Sequence, residues 1–175
     1  MRVALKQIEV RIVRDSQPFI MSLSVLREDL LRLGQVAEIN TLLLSGIEPL
    51  LHPDIDEIIA TCRSTNIVKM VTVVTTGQLL HRMSDRFWRI IHGLELDVYP
   101  GQLSGAGIVY VQNKAREHHI DLKIVIGKRD KTIQCVYFDY GYVHITPRCK
   151  EADGLSLDGI TTEKLKAFLE RMNDD

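Results

Sequence analysis

The feature that most limits what this chain can fold into is the stretch 42–51, Leu-Leu-Leu-Ser-Gly-Ile-Glu-Pro-Leu-Leu. An apolar run stops at Ser45-Gly46, the chain turns through Ile47-Glu48-Pro49, and His52-Pro53-Asp54 opens a helical pattern. A second apolar run, 70–74, ends the same way in Thr75-Thr76-Gly77. Two successive strand-to-helix turns of this kind predict a parallel α/β sheet with its functional end along the strand C-termini.

The rest of the pattern extends that expectation. Residues 7–13 alternate, with Ile8, Val10 and Ile12 on one face and Gln7, Glu9, Arg11 and Val13 on the other, as in a half-buried strand. A helix is predicted over 23–36, capped by Ser22 or Ser24, with Leu23, Leu26, Leu30, Leu33 and Val36 as its apolar stripe and Leu31 beside them. The next helix is predicted over 53–64 with Pro53 at its first position, and Ile55, Ile58, Ile59 and Cys62 on its buried side. Ser84 should cap a short helix over 85–92 that turns Phe87, Trp88 and Ile91 inward. Strands are expected at 71–75, 94–99, 122–126 and 132–142, the last with a break near Asp139-Tyr140-Gly141, and helices over 106–118 and after Thr161 or Thr162. The segment 127–131 is too short for a crossover helix, so the strands on either side of it are expected to be antiparallel neighbours. Together these elements predict one domain over residues 1–175, an open sheet or partial (β/α) barrel of about six strands closed by a C-terminal helix.

Composition removes several function classes. The 175 residues carry a formal net charge of −1, with no block of like charge, which argues against nucleic-acid binding. No apolar run approaches a membrane span, and the first residues form no leader-like apolar core, so a cytoplasmic protein is expected. The three cysteines, Cys62, Cys135 and Cys149, match no disulfide, zinc or iron–sulfur spacing, and Cys62 and Cys135 fit buried positions. His144 with Cys149 is too sparse a pair to define a metal site.

The two turns also carry a resemblance. The sequence 44–53, Leu-Ser-Gly-Ile-Glu-Pro-Leu-Leu-His-Pro, resembles the Gly-Gly-Glu-Pro stretch of the radical S-adenosylmethionine (radical SAM) enzymes, with Ile47 at the second glycine. Val73-Val74-Thr75-Thr76-Gly77 is similar to the Thr-Asn-Gly that closes their next strand, and the resemblance runs on through His81-Arg82-Met83, Tyr99-Pro100-Gly101 and the tail from Asp153. It implies S-adenosylmethionine as ligand, held by Ser45, Gly46, Glu48, Thr75, Thr76 and Gly77, with Glu48 on the methionine amine. Ile47 would be strained at a positive φ and would place a side chain where backbone should meet the ligand.

The family's CxxxCxxC signature is missing. The segment 14–21 after the first strand has no cysteine and no histidine, and Arg14, Asp15 and Gln17 cannot replace three soft thiolates. A 4Fe–4S cluster and radical chemistry are therefore not expected. Two functions stay open: a non-catalytic partner of a cluster-bearing homologue (or a homodimer) that docks or binds such a ligand, and an enzyme with unusual cluster ligation or a non-radical chemistry. For the second, Glu95, Asp97 and Tyr99, with Glu9 and Arg11, would line an inward cleft; the alternative is that these polar faces are simply exposed.

Overall fold

A computed structural model of the chain describes residues 1–13, 22–98, 102–125, 133–137, 143–147, 155–156 and 160–173. The elements run β1 (Val3–Val13), α1 (Leu23–Gly34), β2 (Ala37–Gly46), α2 (Ile55–Ser64), β3 (Val68–Thr75), α3 (Asp85–Ile90) and β4 (Gly93–Asp97). They continue with α4 (Gly105–Glu117), β5 (Asp121–Val125), β6 (Ile133–Tyr137), β7 (Val143–Pro147), β8 (Leu155–Ser156) and α5 (Thr162–Asn173).

The strands form one eight-stranded sheet in the order β5-β4-β3-β2-β1-β6-β7-β8. From β5 to β1 every pairing is parallel, as the alternation of strand and helix requires. β6 joins the free side of β1 in parallel, and β7 and β8 follow antiparallel. This corrects the expected end of the fold. β5 and β6 are not neighbours: β5 lies at one edge and β6 beyond β1, and of the strand expected over 132–142 the structure describes β6 (Ile133–Tyr137), with β7 beginning only at Val143. The antiparallel partner of β6 is β7, joined to it by five intervening residues, the kind of short link a hairpin needs. What holds of the expectation is an α/β sheet with five consecutive parallel strands and helices between them.

The core follows from periodicity. Leu26, Leu30 and Leu33 of α1 are at most 1% exposed, and Ile8, Val10 and Ile12 of β1 match them, whereas Leu31 is 46% exposed on the outer face of α1. Each such side chain contributes roughly 1.5–3 kcal/mol of transfer free energy. Phe87, Trp88 and Ile91 are buried as predicted, and Ser84 caps α3, its hydroxyl accepting from the Phe87 N–H at 3.1 Å. Trp88 meets Phe87 edge-on at 5.4 Å and Tyr110 edge-on at 6.4 Å.

Helix starts differ in detail. α2 begins at Ile55 rather than Pro53, because His52 shapes its entry: buried His52 accepts from the Asp54 N–H on Nδ1 at 3.0 Å. Pro49 instead sits in the first turn of a short 3₁₀ segment, Pro49–Leu51. Ser22 takes the N-cap position of α1, but its hydroxyl bonds to Ser24 rather than to the helix backbone. Thr161 caps α5, its hydroxyl accepting from Lys164 N–H at 3.3 Å. Among the described residues no helix is long and apolar enough to cross a membrane.

Candidate functional site

β2 and β3 reach the same end of the sheet side by side, Leu44 pairing with Val73. Their two turns are therefore neighbours, and the sequence-predicted residues meet there. Gly46 has φ +135°, and a Cβ at that position would collide with the Val13 carbonyl oxygen. Only glycine permits so close a backbone crossing. The next amide, Ile47 N–H, donates to that same carbonyl at 3.3 Å, which ties the start of the β2 turn to the end of β1. Ile47 itself does not have a positive φ, so the expected strain is absent; its side chain is 53% exposed.

Glu48 is 9% exposed, not solvated. Its Oε1 accepts from the Leu50 N–H at 3.2 Å and from the Thr75 hydroxyl at 2.7 Å. Its Oε2 accepts from the Thr76 N–H at 3.2 Å and the Thr76 hydroxyl at 2.9 Å. A carboxylate offers about four acceptor directions, and these contacts fill them. Thr75 Oγ1 in turn accepts from the Gly77 N–H at 3.1 Å, so a relay runs from Gly77 through Thr75 to Glu48. Gly77 has φ +90° and packs under Leu103 and Leu96. Glu48 thus clamps the two turns together, and the amine-gripping role that the resemblance implied would have to displace a donor already in place.

Ser45 lies below this clamp and is 1% exposed; its hydroxyl donates to Glu9 Oε1 at 2.6 Å, and Glu9 is 4% exposed. The register places Arg11 opposite Ser45, Val74 opposite Glu95 and Glu95 opposite Lys123. Since Ser45 follows the Leu44–Val73 pair, Arg11, Ser45 and Glu95 share one row and one face. Glu95 is 5% exposed and Arg11 and Asp97 are half-buried, so none of the described members of this polar set is fully exposed. Asp97 follows Leu96, the partner of Thr75, and so stands level with Thr76. Tyr99, Pro100 and Gly101 lie outside the described residues, as do the 14–21 and 127–131 segments, Asp139-Tyr140-Gly141, Cys149 and Asp153.

Beside the clamp lies a cleft of about 630 Å³ that sequence reasoning missed, lined among others by Gly77, Gln78, His81, Leu103, Ser104 and Tyr110. It lies between the turn after β3 and the start of α4. Ser104 is the N-cap of α4, its hydroxyl accepting from the Gly107 N–H at 3.0 Å. A Cβ on Gly107 would come within 2.7 Å of Leu103, so the glycine keeps the cleft wall close. The signal for this cap was legible: a serine immediately before the first helical residue.

Of the three cysteines, the described side chain is that of Cys62. Cys62 is fully buried among the apolar residues of α2, where desolvation pushes its thiol up to about 12. The side chains of Cys135 and His144 lie outside those described. Among the described residues no three His, Cys, Asp or Glu side chains gather as a metal site would need.

No protein-family model matches the chain, and no curated protein matches it in sequence. Solved structures do match, among them the crystal structure of BtrN in complex with AdoMet and 2-DOIA, with a TM-score of 0.49 at 16% identity. That alignment covers 72% of this chain and 57% of the BtrN chain, so this chain spans little more than half of BtrN's length. A likeness at that score is too slight to carry a functional argument.

Proposed function

We propose that this chain is a cluster-less, radical SAM-like protein that serves as a non-catalytic partner or ligand-binding subunit of a pathway enzyme. The observation that carries this reading is the four-donor burial of Glu48 across the β2 and β3 turns. A turn kept in such order, in a chain whose 14–21 segment has no cysteine, fits a scaffold retained for shape rather than for electron transfer. Ser45, Gly46, Glu48, Thr75, Thr76 and Gly77 then form the rigid floor of a site for S-adenosylmethionine or a related sulfonium or thioether nucleoside. Glu48 acts by holding that floor, and the adjoining cleft gives the ligand its space. Bound in this way, the ligand would be recognised and not cleaved.

A second reading, an enzyme using the inward carboxylates, is favoured by one feature: Glu95 is 5% exposed beside half-buried Asp97 at a strand end. Perturbed or buried carboxylates of this kind are frequent in catalytic clefts, though structural networks use them too.

Anaerobic reconstitution followed by iron and sulfide analysis tests the first reading. The expected result is well under one iron per chain; about four would overturn it in favour of the radical enzyme. Calorimetry with S-adenosylmethionine tests the ligand. Saturable heat, weakened at least about tenfold in Tyr110→Ala by loss of an aromatic wall of the cleft, is expected. No heat with the folded protein would remove ligand binding and leave the docking role.

A further inference from the structure

The sheet ends at β5, which among the described residues pairs with β4 alone. Asp121 N–H donates to the His92 carbonyl at 3.0 Å, and the Val125 carbonyl accepts from the Val98 N–H at 3.1 Å. Residues 121, 123 and 125 therefore turn their backbone groups toward β4. By the two-residue alternation of a strand, Leu122 and Ile124 turn theirs to the open edge. Natural edges are blunted by short length, charged side chains (lysine above all), proline or bulges, and this five-residue edge carries Asp121 and Lys123. This one has no proline and no glycine, and Ile124 is 42% exposed on it.

The sequence along the edge is its own complement. Laid antiparallel about a two-fold axis at Leu122, Asp121-Leu122-Lys123 sets leucine opposite leucine and each aspartate opposite a lysine, while Ile120 lies before β5, is buried and already donates its N–H to the Ala115 carbonyl at 2.8 Å. The same register makes Leu122 a directly hydrogen-bonded pair with its symmetry mate, which is what its outward N–H and C=O require. Moving the axis one residue, to Lys123, would put lysine opposite lysine, which is unfavourable. Moving it to Ile124 would leave Lys123 opposite Val125. Asp121 and Lys123 are both exposed, and neither forms a salt bridge among the described residues. They are available for the two cross-strand pairs.

We propose that β5 docks antiparallel against β5 of a second copy of this chain, with the two-fold axis at Leu122 and reciprocal Asp121–Lys123 pairs across it. The contact is isologous, so it closes at two copies and does not propagate into a fibre. A ladder this short buries little area, and a reversible dimer with a dissociation constant on the order of micromolar is expected.

Sedimentation velocity of the full chain over a wide concentration range tests it, with hydrogen exchange read at low and high concentration. The expected result is a shift from one chain to two, accompanied by protection of the Leu122 and Ile124 amides. Asp121→Lys places lysine opposite lysine twice and should weaken the dimer at least about tenfold. Its cross-strand neighbour within the chain is Gly93, so the fold is little disturbed. Adding Lys123→Asp restores opposite pairing and should recover most of the lost affinity. A chain that stays single at every concentration overturns the proposal, including the case where a different protein adds its strand to this edge. So does a dimer indifferent to Asp121→Lys, or one that leaves the Leu122 and Ile124 amides unprotected; the exchange measurement needs no variant and stands even if a variant folds poorly.

Discussion

The turns after β2 and β3 and the edge of β5 treat polar groups in opposite ways. At the turns, Glu48, Thr75, Thr76 and the Gly77 amide satisfy one another inside the chain, within a few ångströms and largely away from water. Along β5, Asp121, Lys123 and the outward backbone of Leu122 and Ile124 have no such partner among the described residues. One region spends its hydrogen bonds on holding its own shape, and substitutions there should be felt as stability. The other keeps them for outside contact, and substitutions there should be felt as association.

The sharpest way to break that contrast is Glu48→Ala. It leaves the buried Thr75 hydroxyl and the part-buried Thr76 donors without an acceptor, and should lower unfolding free energy by about 3 kcal/mol in urea titration. Asp121→Lys should change the same quantity by less than about 0.5 kcal/mol when measured at concentrations too low for association. Equal losses for the two would erase the distinction.

Glycines sharpen it next. Gly46→Ala forces a side chain into φ +135° and against Val13, and should cost about 2 kcal/mol. Gly105→Ala meets nothing within 4 Å in the first turn of α4, and should stabilise by about 0.5–1 kcal/mol, read from the same titrations. Thr75→Val comes third. It removes only the hydroxyl that joins Glu48 to the Gly77 amide and should cost about 1–2 kcal/mol.

The smallest effect concerns pH. His92 accepts from the Val71 N–H on Nδ1 at 3.0 Å; partial burial, then the Arg63 charge, hold its pKa below the ordinary 6.5. Between the two pKa values the unfolded chain binds more protons than the native one, so stability rises with pH there. The contribution is fully present above 6.5 and is lost as pH falls through the lower, folded value. Denaturant midpoints taken across this window should show a shallow slope that His92→Asn flattens.

The residues of the clamp were legible because local grammar marks them: an apolar run, a glycine, a proline-started turn, then a second run ending in Thr-Thr-Gly. The sequence could not say whether Glu48 faces water, since that depends on β3 lying beside β2, a long-range fact. For the same reason sequence pattern alone sets β6 next to β5. Its pairing with β1 joins residues far apart in the chain, and no turn signal between neighbours records it. The alternation predicts β1 only from residue 7, because Val3 and Leu5 alternate with Ala4 and Lys6 too briefly to stand alone; in the fold they pair with Ala37 and Ile39. The cleft was missed because its walls come from two loops, each unremarkable by itself.

The contact of Gly46 and Ile47 with the Val13 carbonyl has a consequence for engineering. It pins the exit of the first strand to a neighbouring turn, so that exit is a fixed mooring whatever chain follows it. A cysteine-bearing loop spliced in after Val13 would start from a point the sheet already holds. Such a graft asks the scaffold only for ligand spacing within the insert, with no rebuilding of the strands beneath it.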